Sequence, residues 1–441
     1  MGPHPSAEKT GPRRIAVVGA SLAGLESAKE LRQAGFGGEL VIIGRERHLP
    51  YDRPPLSKEL LDGRFGQQQI MLPTDEAVDA EWRLGGTATG LDVSQRTLTI
   101  DGGEPEPFDG IILATGADAR RPRFPGEGGG ELDGIHVLRT LDDALALERD
   151  LSAAPGRVLV VGAGFIGAEV ASTCRSRGLD VTVVEGLSAP LEGTLGHPVG
   201  QVLSQLQRDH GVDLRLGTSV VDVHGARRVE AVQLSDGGRV RADVLVLAIG
   251  VTPATGWLEH SGLTIDRGVL CDETCLAAPG IVAAGDVARW PNRRFAEVRR
   301  VEHWDNAIRQ GRHAARRLLA GADPAGWAPY DPVPWFWSDQ FGSKLQLAGS
   351  ARGFDELRIV SGSLGSRRFV GLYRRDDMLI GAVSVNSAKA FLRYRTLIER
   401  SATWSEAVAA ERARPTPAGV TRVPPSSTLN TLSTIPKGTR A

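Results

Sequence analysis

Cysteine is scarce in this sequence. Its 441 residues hold three, Cys174, Cys271 and Cys275, and no C-x-x-C pair. An odd, small number of this kind fits a reducing, cytoplasmic setting and not a disulfide-built one. Net charge is also nearly absent, at −1, so no global field argues for nucleic acid or an acidic membrane as partner. No apolar run approaches the roughly 20 residues of a membrane-spanning helix. The first 12 residues lack the apolar centre of a signal peptide and read as a disordered leader. What remains, 41% hydrophobic and 24% charged, is ordinary for a globular chain, and the length implies two or three domains.

The most informative stretch runs from Arg157 to Glu185. Val158 to Val161 reads as a buried parallel strand. Gly162, Gly164 and Gly167 follow as G-x-G-x-x-G, entering a helix. The first glycine permits the turn, the second lets the backbone approach a pyrophosphate, and the third lets helix and strand pack closely. The next strand ends at Glu185, 18 residues beyond Gly167, where a carboxylate accepts hydrogen bonds from a ribose.

The same theme opens the chain. Arg14 to Val18 reads as a strand and Gly19 to Gly24 as the turn, with Ser21 in place of the middle glycine. A helix to about Ala34 and a strand from Glu39 to Ile43 follow, and Glu46 is the candidate ribose acid. Each unit has the same sequel, DGIILATG ending at Gly116 and DVLVLAIG ending at Gly250. This is an internal duplication of a nucleotide-binding domain. Two turns with two acids point to two dinucleotides, a resident flavin and an exchangeable nicotinamide. A third glycine strand, GIVAAGDVA, spans Gly280 to Ala288.

With these motifs on view the chain resembles the two-dinucleotide-domain flavoproteins. It is most similar to the NADH-dependent ferredoxin reductases of bacterial oxygenases and cytochromes P450. The resemblance covers about residues 13 to 400. It rests on GASLAG at 19–24, PYDRPPLSK at 50–58, ATG at 114–116, GAGFIGAE at 162–169, AAGDVA at 283–288, VEHWDNAIRQG at 301–311 and PWFWSDQFGSKLQLAG at 334–349. It implies an α/β fold with two Rossmann-like domains, for FAD and NAD, and a C-terminal α+β reductase domain. The FAD domain is expected at 13–121 plus 254–325 and the NAD domain at 122–253, entered through the Pro/Gly-rich Arg120 to Gly130. The C-terminal domain is expected at 330–412, with strands at Lys344–Ala348, Glu356–Ser361, Phe369–Tyr373 and Met378–Val385 and a helix near Ala388–Ser401. Residues 413–441 read as a disordered tail.

The resemblance also assigns roles. Lys58 is placed beside the flavin N5, where a cation favours reduced flavin. Glu169 is placed at the nicotinamide, paired with Lys58, and Trp304 beside the flavin ring, so these three are the expected catalytic set. Asp286, after Gly285, is expected at the ribityl chain; a helix cap is the alternative. Further FAD contacts are implied at Gly19, Ser21, Leu22, Ala23, Gly24, Glu46, Arg53, Ala114, Thr115, Gly116, Glu302 and His303. NADH contacts are implied at Gly162, Gly164, Phe165, Ile166, Gly167, Glu185, Ala248, Ile249 and Gly250. Trp335 is also implied as a cofactor contact, and it and Trp337 stand either at the rim of the acceptor surface or in the core.

The resemblance makes Arg45 to Leu61 the flavin-facing stretch, and because it contains no cysteine, neighbouring enzymes that use a flavin-facing cysteine are excluded. Electrons must therefore leave for an external acceptor. Nine arginines between Arg289 and Arg317, opposed locally only by Glu297, Glu302 and Asp305, read as a solvated helix face or as a docking surface for an acidic [2Fe–2S] ferredoxin. The expected protein is a monomer or weak homodimer with no metal, nucleic acid or membrane partner. The alternatives are a reductase of a small-molecule or quinone acceptor and a redox-sensing flavoprotein.

Overall fold

A computed structural model describes residues 12–74, 78–127, 132–321, 327–412 and 422–423. The expected leader up to residue 11, positions 128–130 of the linker, the expected domain end at 325 and most of the expected tail lie outside the described residues.

Both strand–turn–helix units form. The first is β1 (Arg14–Val18), α1 (Leu22–Gln33), β2 (Glu39–Gly44) and β3 (Gly110–Leu113); the second is β4 (Arg157–Val161), α2 (Phe165–Ser176), β5 (Asp180–Glu185) and β6 (Val244–Leu247). β1 lies parallel between β2 and β3, with Val18 opposite Ile43 and Leu113. β4 lies in the same way between β5 and β6, with Val161 opposite Val184 and Leu247. These central strands are buried almost throughout, so they read as continuous apolar runs. The duplication extends outward. Glu81–Leu84 continues the first sheet past β2, and Asp213–Leu216 continues the second past β5.

The first sheet is built from two separated segments. Beyond β3 comes Ile281–Ala283, with Leu113 opposite Ala283. The middle unit is therefore an insertion. Its entry and exit, Ala117–Ala119 and Val251–Pro253, pair antiparallel with each other.

The helix α3 (Trp304–Leu319) returns to the first unit and lies along α1. Close approach is obligatory there, since a Cβ on Gly311 would stand 2.6 Å from the Ala23 carbonyl. Glu26 and Glu30 of α1 pair at 2.6 Å with Arg312 and Arg316 of α3, so the two helices run parallel.

The C-terminal sheet is antiparallel. Its order is β7 (Trp335–Gln340), Ser343–Gly349, Met378–Val385, Arg368–Arg375, Glu356–Ser363 and, at the far edge, Arg422–Val423. The helix Ala388–Glu399 buries Phe391, Tyr394 and Ile398. The sequence reading found the four inner strands and this helix. It read β7 only as a motif and left out the helix Trp404–Arg412. It also took Arg422–Val423 as tail, and the pairing of Leu357 with Val423 corrects that; two residues are too short to show a period. The sheet shares a hydrophobic core with the middle unit. The Phe341 N–H donates to Ser172 Oγ at 2.7 Å, and the Tyr373 hydroxyl to the Leu195 carbonyl at 2.6 Å.

Candidate functional site

Each glycine turn is fixed by sterics. Gly19 has φ +122°, and a Cβ there would lie 2.1 Å from the Ala114 carbonyl oxygen; Gly162 has φ +96°, with its Cβ 2.5 Å from that of Ala248. Only glycine meets both demands. Gly24 and Gly167 do as expected for helix–strand packing, each with a would-be Cβ about 2 Å from the carbonyl of Gly19 or Gly162. The N-termini of α1 and α2 open at Ser21 and Gly164, as anion-binding helix ends require.

A cavity of about 560 Å3 runs between the two turns. Of the expected site residues it is lined by Gly19, Ser21, Leu22, Ala23, Glu46, Arg53, Lys58, Ala114, Thr115, Gly116, Gly164, Phe165, Ile166, Glu169, Ala248, Gly250, Gly285, Asp286, Glu302, His303, Trp304 and Trp335. Gly24, Gly162, Gly167, Glu185 and Ile249 are not on its wall.

The two expected ribose acids stand differently. The Gly19 N–H donates to the Ile43 carbonyl and the Gly162 N–H to that of Val184, which aligns Glu185 with Gly44 and leaves Glu46 two residues farther on. Glu185 is fixed at its strand end, where its carboxylate accepts from the Ala163 N–H at 2.7 Å and the Leu187 N–H at 2.9 Å. Glu46 instead pairs with Arg53 at 2.7 Å and accepts from the Tyr51 hydroxyl at 2.5 Å. Arg53 also donates to Ser21 Oγ at 2.8 Å, so the serine that replaces the middle glycine orients a cation at the turn. Counting residues from Gly24 could not distinguish these settings.

Three opposite-charge pairs meet in the cavity: Arg53–Glu46, Arg139–Asp286 at 2.7 Å and Lys58–Glu169 at 3.1 Å. Asp286 caps no helix. The third pair joins the first unit to the second and is nearly closed to solvent, with side-chain exposures of 12% and 5%. Glu169 is held from three sides, since it also accepts from Ser57 Oγ at 2.5 Å and Ser338 Oγ at 2.7 Å. Lys58 follows the 3-10 turn Pro54–Ser57, whose prolines pre-set the backbone.

Aromatic rings close the C-terminal side. Phe336 packs edge-on to Phe165 at 4.4 Å and against His303 at 4.7 Å, and Trp337 meets Trp304 at 6.0 Å and Trp335 at 5.1 Å. Trp304 Nε1 donates to Asp52 Oδ1 at 2.6 Å. The tryptophans therefore serve the cavity wall. Sequence reasoning missed Asp52, Tyr51, Ser57 and Ser338, although all four lie inside motifs it used. Nothing in the sequence marks Arg139, which long-range folding brings to Asp286.

His303, the residue before α3, is half-buried on the cavity wall, and desolvation with the nearby Arg299 pushes its pKa from 6.5 down to about 4. The unfolded chain then binds the proton more readily than the folded one between those values, so stability rises with pH across that window. Unfolding free energy is expected to fall by about 3 kcal/mol from pH 6.5 to pH 4 through this group. Denaturant titrations across that range would check it, with His303→Gln flattening the slope. His313 shifts in the same direction by burial and adds to the background slope.

The arginine-rich segment needs correcting. The sequence showed three local acids, but folding brings four more. Arg289 pairs with Asp266, Arg293 with Glu273, Arg312 with Glu26 and Arg316 with Glu30. Arg317 is buried and donates to Thr274 Oγ1. Arg309 pairs with Asp305 at 3.5 Å. Most of the expected basic surface is thus internally neutralised. The three cysteines are buried away from the cavity, and burial pushes the thiols of Cys174 and Cys275 up to about 12.

The site suits two dinucleotides on its own geometry. Two cradles exclude any side chain, each faces a helix N-terminus, and the cavity between them presents unpartnered buried donors and acceptors at His303 Nδ1 and Trp335 Nε1. Among the described residues no group of three or more His, Cys, Asp or Glu could hold a metal, and no helix is long and apolar enough to cross a membrane.

Residues 13–311 match the pyridine nucleotide-disulphide oxidoreductase family and residues 335–417 the reductase C-terminal family. The ferredoxin reductase component of chlorobenzene dioxygenase from Cupriavidus sp. (strain PS12) is 36% identical over 88% of this chain and 93% of its own length. Rhodocoxin reductase of Rhodococcus erythropolis is 36% identical over 87% of this chain and 89% of its own. The covalent putidaredoxin reductase–putidaredoxin complex superposes with a TM-score of 0.83 at 30% identity, covering 91% of this chain and 99% of that one.

Proposed function

The chain belongs to the pyridine nucleotide-disulphide oxidoreductases, in the ferredoxin reductase family, and from that premise we infer that it carries electrons from NADH through FAD to a [2Fe–2S] ferredoxin of an oxygenase or cytochrome P450 system. The observation that carries this reading is the Lys58–Glu169 pair, which bridges the two nucleotide units inside a cavity that no cysteine lines. Bound FAD would accept hydride from NADH and release the electrons one at a time, which is the chemistry the residues themselves lack. FAD is assigned to the first cradle and NADH to the second, on domains spanning 13–121 plus 254–325 and 122–253.

The residues supply position and charge. The two helix ends take the pyrophosphates. Lys58 presents a fixed cation in the cavity, and Glu169, clamped by two serines, sets where it points. Asp286, held by Arg139, and His303, neutral at working pH, offer polar contacts to the flavin. The ring wall of Phe165, Phe336 and Trp304 limits water at the reacting atoms. The buried thiols suit a cytoplasmic setting, and the protein is taken as a monomer or weak homodimer.

Glu185 sets cofactor choice, because a 2′-phosphate beside its fixed carboxylate meets like-charge repulsion. Flavin reduction is expected to be at least about 10-fold less efficient with NADPH than with NADH. Glu185→Gln should narrow the gap, and equal efficiency in the unmutated enzyme would remove this role.

Ferredoxin is proposed to dock at the rim formed by Trp335, Trp337 and the exposed arginines of α3. NADH-driven reduction of cytochrome c is expected to rise at least about 10-fold when a [2Fe–2S] ferredoxin is added. Because those arginines are paired, the stimulation should fall only a few-fold between low and physiological salt. Flavin that NADH reduces but ferredoxin does not reoxidise would shift the reading to a small-molecule acceptor.

A further inference from the structure

The segment that carries Lys58 belongs to the first nucleotide unit, yet the second unit holds it. Glu169, Thr173 and Arg177 stand four residues apart along α2 and its C-terminal end, so they share one face of the helix. Glu169 meets Ser57 and Lys58. Thr173 is buried and donates from Oγ1 to the Ser57 carbonyl at 2.9 Å. Arg177 donates from Nη1 to the Leu61 carbonyl at 2.5 Å. Leu61 itself is fully buried, in the core that the second unit shares with the C-terminal sheet. One helix face thus grips the lysine segment at both of its ends.

Thr173 is the uncharged anchor of the three. A threonine inside a helix ordinarily turns its hydroxyl back to the carbonyl one turn earlier. Here the one proton of that hydroxyl leaves the helix for Ser57. The Ser57 carbonyl ends the 3-10 turn Pro54–Ser57, where a carbonyl has no partner inside the turn. It also shares a rigid peptide plane with the Lys58 N–H, which donates to the Pro55 carbonyl at 3.1 Å. Thr173 therefore fixes the peptide from which the lysine side chain departs, while Glu169 fixes the far end of that side chain. Resting on the reading that Lys58 acts on the flavin, we propose that Thr173 is a positioning residue for flavin reduction, acting only through Lys58. The cation is thereby placed by the unit assigned to NADH, so that cation and hydride donor share one frame.

The test is a cycle of Thr173→Val, Lys58→Met and the double variant, all loaded with FAD. The flavin midpoint potential and stopped-flow reduction by NADH are read on each. Thr173→Val is expected to lower the limiting rate about 10-fold, with the apparent affinity for NADH nearly unchanged. It should also move the potential in the direction that Lys58→Met moves it. Thr173→Ser keeps the hydroxyl and should return both to the unmutated values. In the Lys58→Met background, Thr173→Val should change neither. Effects that multiply in the double variant, or a Thr173→Val enzyme with unmutated rate and potential, overturn the positioning role and leave the assignment of Lys58 standing. A Lys58→Met enzyme with unmutated rate and potential overturns the role together with the reading beneath it. Should Thr173→Val fail to fold, the same cycle is run with Thr173→Ala; should Lys58→Met fail, Lys58→Met/Glu169→Gln replaces it as the background.

Discussion

Lys58→Met is expected to slow reduction of the bound flavin by NADH about 100-fold, and Glu169→Gln by a similar factor, in stopped-flow measurements. The two side chains meet 3.1 Å apart and almost closed to solvent. A single substitution therefore also strands one charge in a buried site, at a cost to stability of about 3–5 kcal/mol. Those two losses need separating. The double variant Lys58→Met/Glu169→Gln removes both charges together, so most of the stability should return while the rate does not. If the double variant also recovers the unmutated rate, the pair is a structural tie between the two units and nothing more. Ser338→Ala offers a milder case. It frees one oxygen of Glu169 and should lower the rate without stranding a charge.

Gly162→Ala should leave a yellow protein that NADH scarcely reduces, with its apparent affinity for NADH weakened by about 100-fold or more. One methyl group suffices, because it would stand 2.5 Å from the Ala248 carbonyl on a backbone with φ +96°. The turn must deform, and the α2 end moves away from the pyrophosphate it should meet. Gly19→Ala is the matching change in the other unit, with the methyl 2.1 Å from the Ala114 carbonyl. It should yield colourless protein instead. Flavin content by absorbance and nicotinamide binding by titration together assign each cradle. Loss of flavin from Gly162→Ala with retention in Gly19→Ala would reverse the assignment.

The glycine prediction rests on features that sequence alone displayed, because glycine turns and buried parallel strands have local causes. Val158 to Val161 and Gly110 to Leu113 announce themselves by composition, and Gly162 and Gly167 by spacing. The Lys58–Glu169 contact came from resemblance, and the structure adds the serines that hold it. Glu46 shows where counting ends. Its distance from Gly24 looked right, but its carboxylate is set by Arg53 and Tyr51. The arginines from 289 to 317 show the same limit for charge. Their partners Glu26, Glu30, Asp266 and Glu273 lie elsewhere in the chain, so the local sequence overstated how basic the surface is. Short elements such as Arg422–Val423 depend wholly on the strand they join.

The inserted middle unit has a consequence for how the chain comes into being. β3 needs Ile281–Ala283 as its neighbour, yet everything between is synthesised first. On the ribosome, the second nucleotide unit emerges complete while the first still lacks an edge of its sheet and the helix α3. Its two ends, paired as Ala117–Ala119 with Val251–Pro253, then hold the waiting halves of the first unit close together. The later-born cradle is thereby the first whose whole chain is available to fold, and with the cradles assigned as proposed above, the flavin site would be completed after the strands and glycine turn of its electron donor's site have been synthesised.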